Sequence, residues 1–324
     1  MGIGAAVAAG GYAAGRLAGL WGKSQFISNF EPGEYDPGHK FVQPTRMING
    51  LAVYEVGQGK PILVFPYPHA GTQTPMAQNK FVLFFVGLGR KVITFDIPGA
   101  YASTREPQVS MQEMLDCGIE ALQSAGLQGK IDVAGHSMGG LVALAFALQH
   151  PERVNRLVLA NTLSGFKASL KWGMPGSAWS WTQKGYWQLI YWGVRLKGGR
   201  GNLAMHKRLM NLIEGVSFVD KSLVPLQTIR ENDHTIPTPV RFKWSNAVWS
   251  IDYANRLDQV SAPTLIVAGR FDTQTPLPCA EQLKAGIPNS RLVVFERSGH
   301  FPFIEEKDAF TKALDSFLAD NSIW

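Results

Sequence analysis

Gly135-His136-Ser137-Met138-Gly139 sets a serine at the centre of the spacing G-x-S-x-G. The apolar run "KIDVAG" precedes it and the longer run "MGGLVALAFALQH" follows, so the serine falls on a sharp turn between a strand and a helix. Side chains at 135 or 139 would strike the neighbouring strand or helix. Such a strained turn lifts the Ser137 hydroxyl clear of a sheet, at the positive end of a helix. Ser137 is therefore the candidate nucleophile, against the plainer reading of a structural turn in a glycine-rich chain.

A serine hydroxyl needs a base. The chain has seven histidines, and only His300, in "RLVVFERSGHFPFIEE", follows the last apolar strand, on a loop that returns to the sheet's carboxyl edge. His206 and His234 fall in a middle region discussed below. His136, inside the serine turn, has two readings: a structural ring pointing away from an attacked group, or a substrate contact. The base in turn needs an orienting carboxylate. "PTLIVAGRFDTQTP" puts Asp272 just past a strand end, whereas the preceding core strand ends on Asn161, which cannot be an anion. Asp96 also ends a strand, but the following Ile97-Pro98-Gly99 suggests a turn whose carboxylate caps local amides.

These residues need a scaffold. "PTRMINGLAVYEVGQGKPILVF" reads as three strands broken at Asn49-Gly50 and Gly57-Gln58-Gly59. "KVITF", "KIDVAG", "RLVLAN", "PTLIVAG" and "RLVVFE" are further strands. Ser110-Met111-Gln112-Glu113 is a capping box opening a helix with Met111, Met114, Leu115, Gly118 and Leu122 on one face. The last helix, "EEKDAFTKALDSFL", has Phe310, Leu314, Phe317 and Leu318 at helical spacing. Strands without alternation, each followed by a helix, predict a mostly parallel sheet covered on both faces, with chemistry at the strands' carboxyl ends.

The order Ser137, Asp272, His300, carried by "GHSMGG" at 135–140, "GRFDTQTP" at 269–276 and "SGHFPF" at 298–303, resembles that of the α/β-hydrolase superfamily over about Pro44 to Leu318. The resemblance implies an eight-stranded, mostly parallel sheet with helices on both faces, a helical cap inserted after strand 6, and an acyl-enzyme route with no cofactor or metal. The corresponding division is an apolar segment at 1–35, a core at 36–162 and 249–324, and a cap at 163–248. Met138 stands where prolyl aminopeptidases usually have Trp, and Ser137 where dehalogenases and epoxide hydrolases have Asp. "GHSMGG" looks most like esterases, monoglyceride-type lipases and C–C bond hydrolases. The expected activity is cleavage of a carboxylic ester. A prolyl-aminopeptidase-like peptidase or a C–C bond hydrolase on the same triad stays open, as does a non-catalytic ligand-binding protein of this fold.

Acyl transfer also needs two donors for an oxyanion. The resemblance assigns one to the Met138 amide and the other to the loop after the third strand, "FPYPHAGT". Counted directly from the strand, the donor would be Pro68, which has no N–H. A loop two residues longer resembles the "PHAG" of type II thioesterases and gives Ala70, with His69 or Tyr67 next in order. The stiff Pro-Tyr-Pro would carry the chain over the sheet edge and bring Tyr67 to the pocket.

Of the 324 residues, 45% are hydrophobic and 17% charged, a composition with ample apolar residue for a large core. Cys117 and Cys279 cannot form a disulfide framework and read as buried free thiols. The net charge of +6 is concentrated: no Asp or Glu stands between Leu163 and Leu212, a stretch holding Lys167, Lys171, Lys184, Arg195, Lys197, Arg200, Lys207 and Arg208. Aromatics interleave with these cations, and Trp187 and Trp192 are candidate walls of a pocket for an apolar acyl or aryl group. No nucleic-acid-binding module accompanies the charge. The N-terminus, "MGIGAAVAAGGYAAGRLAGLWGK", carries Gly11, Gly15 and Gly19 at a spacing known from packed membrane helices, yet Arg16 lies inside the run. The location is left between cytoplasmic and membrane-associated, with a small-molecule ester and a membrane surface as expected partners.

Overall fold

The computed structural model describes residues 42–67, 76–165, 217–223, 247 and 251–319. The N-terminal segment, most of the expected cap and the loop 68–75 lie outside the described residues. Eight strands form one sheet: β1 (Arg46–Ile48), β2 (Leu51–Val56), β3 (Pro61–Val64), β4 (Lys91–Phe95), β5 (Ile131–His136), β6 (Val154–Ala160), β7 (Thr264–Gly269) and β8 (Ser290–Phe295). Their spatial order is β1-β2-β4-β3-β5-β6-β7-β8. The pairs β1–β2 and β2–β4 are antiparallel, and every other pair is parallel. Asn49 and Gly50, at φ 48° and 78°, supply the two left-handed residues of the tight turn between β1 and β2.

Among the described residues six helices accompany the sheet: α1 (Lys80–Gly87), α2 (Met111–Ser124), α3 (Met138–Gln149), α4 (Leu277–Gly286), α5 (Pro302–Glu305) and α6 (Lys307–Leu318). Residues of α2, α3 and α4 share one apolar cluster with one face of the strands, while residues of α1 and α6 share a second with the other. Successive residues of β7 alternate between the clusters, Leu265 and Val267 on the α1/α6 side, Ile266 and Ala268 on the other. Burial on both faces is why the central strands are mostly apolar, without alternation. Among the described residues no helix is long and apolar enough to cross a membrane.

Local signals are realised with one change. Ser110 Oγ accepts from the Glu113 amide at 3.1 Å, half of the capping box. The Glu113 carboxylate reaches further back than a capping box requires, accepting the Gln108 and Val109 amides at 3.1 and 2.7 Å. Phe310, Leu314, Phe317 and Leu318 of α6 are all buried, and so are both free cysteines.

Asp96 caps amides, but mostly distant ones. Its carboxylate accepts the Tyr54 hydroxyl at 2.7 Å, the Met76 amide at 3.0 Å and the Ala102 amide at 3.2 Å. It thereby joins the end of β4 to β2 and to the first described residue after the 68–75 loop. Burial pushes the Asp96 carboxyl up to about 7, against the pull of those donors. Because this pKa is higher folded than unfolded, the native state holds the extra proton, and the group's contribution to stability falls as pH rises between the unfolded value of 3.8 and about 7. Across that window the urea midpoint of wild type should fall relative to that of Asp96→Asn as pH rises, since the variant cannot ionise. Parallel curves would show that Asp96 does not titrate there.

Candidate active site

Ser137 joins β5 to α3 with φ 54° and ψ −126°, the strained turn expected of its motif. Its amide donates to the Ala160 carbonyl at the end of β6, at 2.9 Å, and its carbonyl accepts the Thr162 hydroxyl at 2.6 Å. The flanking glycines are required by close approach. A Cβ at 135 would stand 2.1 Å from the Gly139 carbonyl oxygen, and one at 139 would stand 2.6 Å from that of Phe65. Met138 is the first residue of α3, where a helix leaves the amide without an intrahelical acceptor.

Asp272 and His300 come from the loops after β7 and β8. His300 Nδ1 lies 2.8 Å from Asp272 Oδ2, and both side chains are almost fully buried. The same oxygen accepts the Thr275 hydroxyl at 2.6 Å and the Asn161 side-chain amide at 2.8 Å. The other oxygen accepts the Gln274 and Thr275 amides at 2.7 and 3.0 Å. Burial alone would raise the Asp272 carboxyl. The neighbouring His300 and the hydrogen bonds from His300, Thr275 and Asn161 outweigh it and hold the group below its usual value. An ionised Asp272 fixes the proton of His300 on Nδ1 and leaves Nε2 as the basic nitrogen.

The serine turn and the His300 loop are joined through His136. Its Nε2 is 2.8 Å from the His300 carbonyl oxygen, which can only accept, so Nε2 carries the proton. Nδ1 must then accept, and the Tyr67 hydroxyl donates to it at 2.8 Å. Asn79 bonds the same hydroxyl oxygen, and since Asn79 Oδ1 already accepts the Phe81 amide at 2.9 Å, the amide nitrogen is the donor. Burial raises the Tyr67 phenol well above its ordinary pKa, keeping it a donor. The His136 ring packs on Phe81, Phe301, Phe303 and the His300 ring, at centroid distances of 5.6, 5.5, 5.1 and 4.7 Å. Both nitrogens are occupied and the residue is 1% exposed. Tyr67 is 7% exposed and turns its hydroxyl inward to His136.

Ala70, His69, Trp187 and Trp192 lie outside the described residues, as do His206 and His234. Asn161 carries no charge and cannot be the orienting anion, yet it belongs to the same buried network. It lies at the end of β6 with φ 44°, and its side-chain amide bonds both Asp272 and, at 3.2 Å, the Gly299 carbonyl. Only its position after a core strand, beside the serine turn, hinted at this.

Tyr67→Phe removes the donor to His136 Nδ1 and, with it, the acceptor of the Asn79 side-chain amide. Leaving that buried nitrogen without a donor should cost about 1–3 kcal/mol in denaturant unfolding at constant m-value. No change in midpoint would mean that the chain from Asn79 to His300 does not hold the site.

The comparisons with known proteins bear on the fold. Residues 75–307 match the model of a family described as the alpha/beta hydrolase fold. A 2-hydroxy-6-oxononadienedioate/2-hydroxy-6-oxononatrienedioate hydrolase of Cupriavidus pinatubonensis is 30% identical over 254 residues, covering 75% of this chain and 81% of that protein. A pimeloyl-[acyl-carrier protein] methyl ester esterase of Nitrosomonas europaea is 28% identical over 236 residues, covering 68% and 82%. The solved structure of an alpha/beta fold family hydrolase from Bacillus anthracis superposes with a TM-score of 0.67 at 20% identity, covering 83% of this chain and 95% of that one. With its sheet order, its serine turn between β5 and α3, and a family model matched over most of its length, the chain belongs to the α/β-hydrolase fold family.

Proposed function

We propose that the protein is a serine hydrolase that cleaves a carboxylic ester through an acyl-enzyme intermediate. The observation that carries this reading is the buried Asp272–His300 hydrogen bond of 2.8 Å, tied through His136 to a serine held at φ 54°. In the proposed mechanism His300 Nε2 takes the Ser137 proton as the hydroxyl attacks the ester carbonyl. Asp272 holds the imidazole and stabilises its cation. The Met138 amide and an amide of the 68–75 loop, Ala70 first in order, receive the oxyanion. His300 then protonates the leaving alcohol, and water repeats the cycle to release the acid. No step calls for a cofactor.

The substrate on this reading is a small molecule whose apolar acyl or aryl group rests against aromatics of the β6–β7 connection, Trp187 and Trp192 among them. C–C bond hydrolysis on the same triad is the second reading. It is favoured by the Cupriavidus relative and by a 28% identical 2-hydroxy-6-oxo-6-phenylhexa-2,4-dienoate hydrolase of Burkholderia cepacia. The acid-free, cation-rich stretch from Leu163 to Leu212 suits a substrate bearing carboxylates.

Fluorophosphonate labelling and a graded series of p-nitrophenyl esters test the first reading. The protein should be labelled and hydrolyse at least one ester, and Ser137→Ala should lose labelling and about a thousandfold or more in turnover. Labelling with no ester activity, together with cleavage of 2-hydroxy-6-oxo-6-phenylhexa-2,4-dienoate, would move the assignment to C–C hydrolysis. Absence of labelling would leave the non-catalytic reading of the fold.

A further inference from the structure

Ser217 to Asp220 belongs to the connection between β6 and β7, yet it is bonded to both loops that carry the candidate acid and base. The Ser217 carbonyl accepts the His300 amide at 2.7 Å, and its hydroxyl accepts the Gln274 side-chain amide at 2.6 Å. Gln274 is also the residue whose backbone amide bonds Asp272 at 2.7 Å. Phe218 stacks on Phe301, next to His300, at 4.8 Å between centroids. The approach leaves no slack, since a Cβ at 299 would stand 2.1 Å from the Ser217 carbonyl oxygen.

Glu305, at the end of α5, spans the same junction. One carboxylate oxygen accepts the Val219 amide at 2.7 Å and the Asp220 amide at 3.3 Å. The other accepts the Gly299 amide at 2.7 Å, one residue before His300. Glu306 separately holds the preceding turn, accepting the Arg297 amide at 2.9 Å and the Ser298 hydroxyl at 2.7 Å. A carboxylate shared between amides of two segments fixes their separation, because moving either one strips a charge-assisted bond from the other's partner.

We propose that Glu305 and Gln274 are positioning residues that fasten Ser217–Asp220 to the His300 and Asp272 loops. The seating of the β6–β7 connection and the alignment of the acid–base pair are then a single setting. This rests on the serine-hydrolase reading and deepens it. A role confined to stability would move the unfolding midpoint alone, whereas a positioning role moves the reactivity of Ser137.

Diisopropyl fluorophosphate reads that reactivity while making little use of an acyl pocket. Glu305→Gln keeps the size of the side chain but turns an NH2 group toward an amide N–H. Its second-order labelling rate should fall by about tenfold or more, because misplacing a reacting group by a fraction of an ångström is that costly. The far-UV circular dichroism should remain that of the wild type. Gln274→Met cuts only the bond to Ser217 Oγ and should lower the rate by a smaller factor in the same direction; it decides the matter should Glu305→Gln fail to fold. Folded variants that label at the wild-type rate, with only their midpoints lowered, would overturn the inference. A wild-type protein that is not labelled would instead remove the hydrolase reading itself.

Discussion

A carboxylate with almost no water around it governs the arrangement of this molecule. Asp272 is 4% exposed, and a buried charge is tolerable only when hydrogen bonds replace its hydration. Its own loop supplies the Gln274 and Thr275 donors, the end of β6 supplies Asn161, and the loop after β8 supplies His300. These donors reach one point only if β6, β7 and β8 lie side by side and end at the same level. The parallel order β6-β7-β8 meets that condition. The charge and the sheet topology are thus two descriptions of one constraint.

The serine turn imposes the complementary constraint. Ser137 must keep a backbone conformation that costs energy, so its surroundings over-determine it. The Ala160 carbonyl and the Thr162 hydroxyl hold its two peptide groups, and backbone on both sides forbids a side chain at 135 or 139. His136 adds a polar strut across a layer otherwise made of phenylalanine rings. Each donor in the series from Asn79 through Tyr67 to His136 has one acceptor available, so the series runs in one direction.

Much of this was legible in the sequence because the signals were local or ordered. The serine turn, the Ser110 cap and the apolar face of α6 each lie within a few residues. The order of Ser137, Asp272 and His300 placed the second and third at neighbouring strand ends. Helix α1 was not singled out, since "KFVLFFVG" is apolar on every side and has no period to read; Asn79, which caps it, was the available signal. Asn161, Glu305 and Ser217 escaped for another reason. Most of their partners stand far away in sequence, and a neutral amide, a glutamate in an acidic pair and a serine of the long connection have no pattern of their own. Asp96 reads in the sequence as a turn residue, whereas its donors come mainly from other strands and loops, for the same reason.

The connection between β6 and β7 begins and ends at nearly one point. Gly165 and Asp252 form an isolated antiparallel bridge, and the Tyr253 amide donates to the Ser164 carbonyl at 2.7 Å. A chain whose ends are already joined can vary in length and content at little further entropic expense to the sheet beneath it. The length and content of that connection can therefore vary without disturbing the order of the strands whose ends carry Ser137, Asp272 and His300. Ser217 to Asp220, bonded to the loops after β7 and β8, adds a second fixed point to that joined pair of ends.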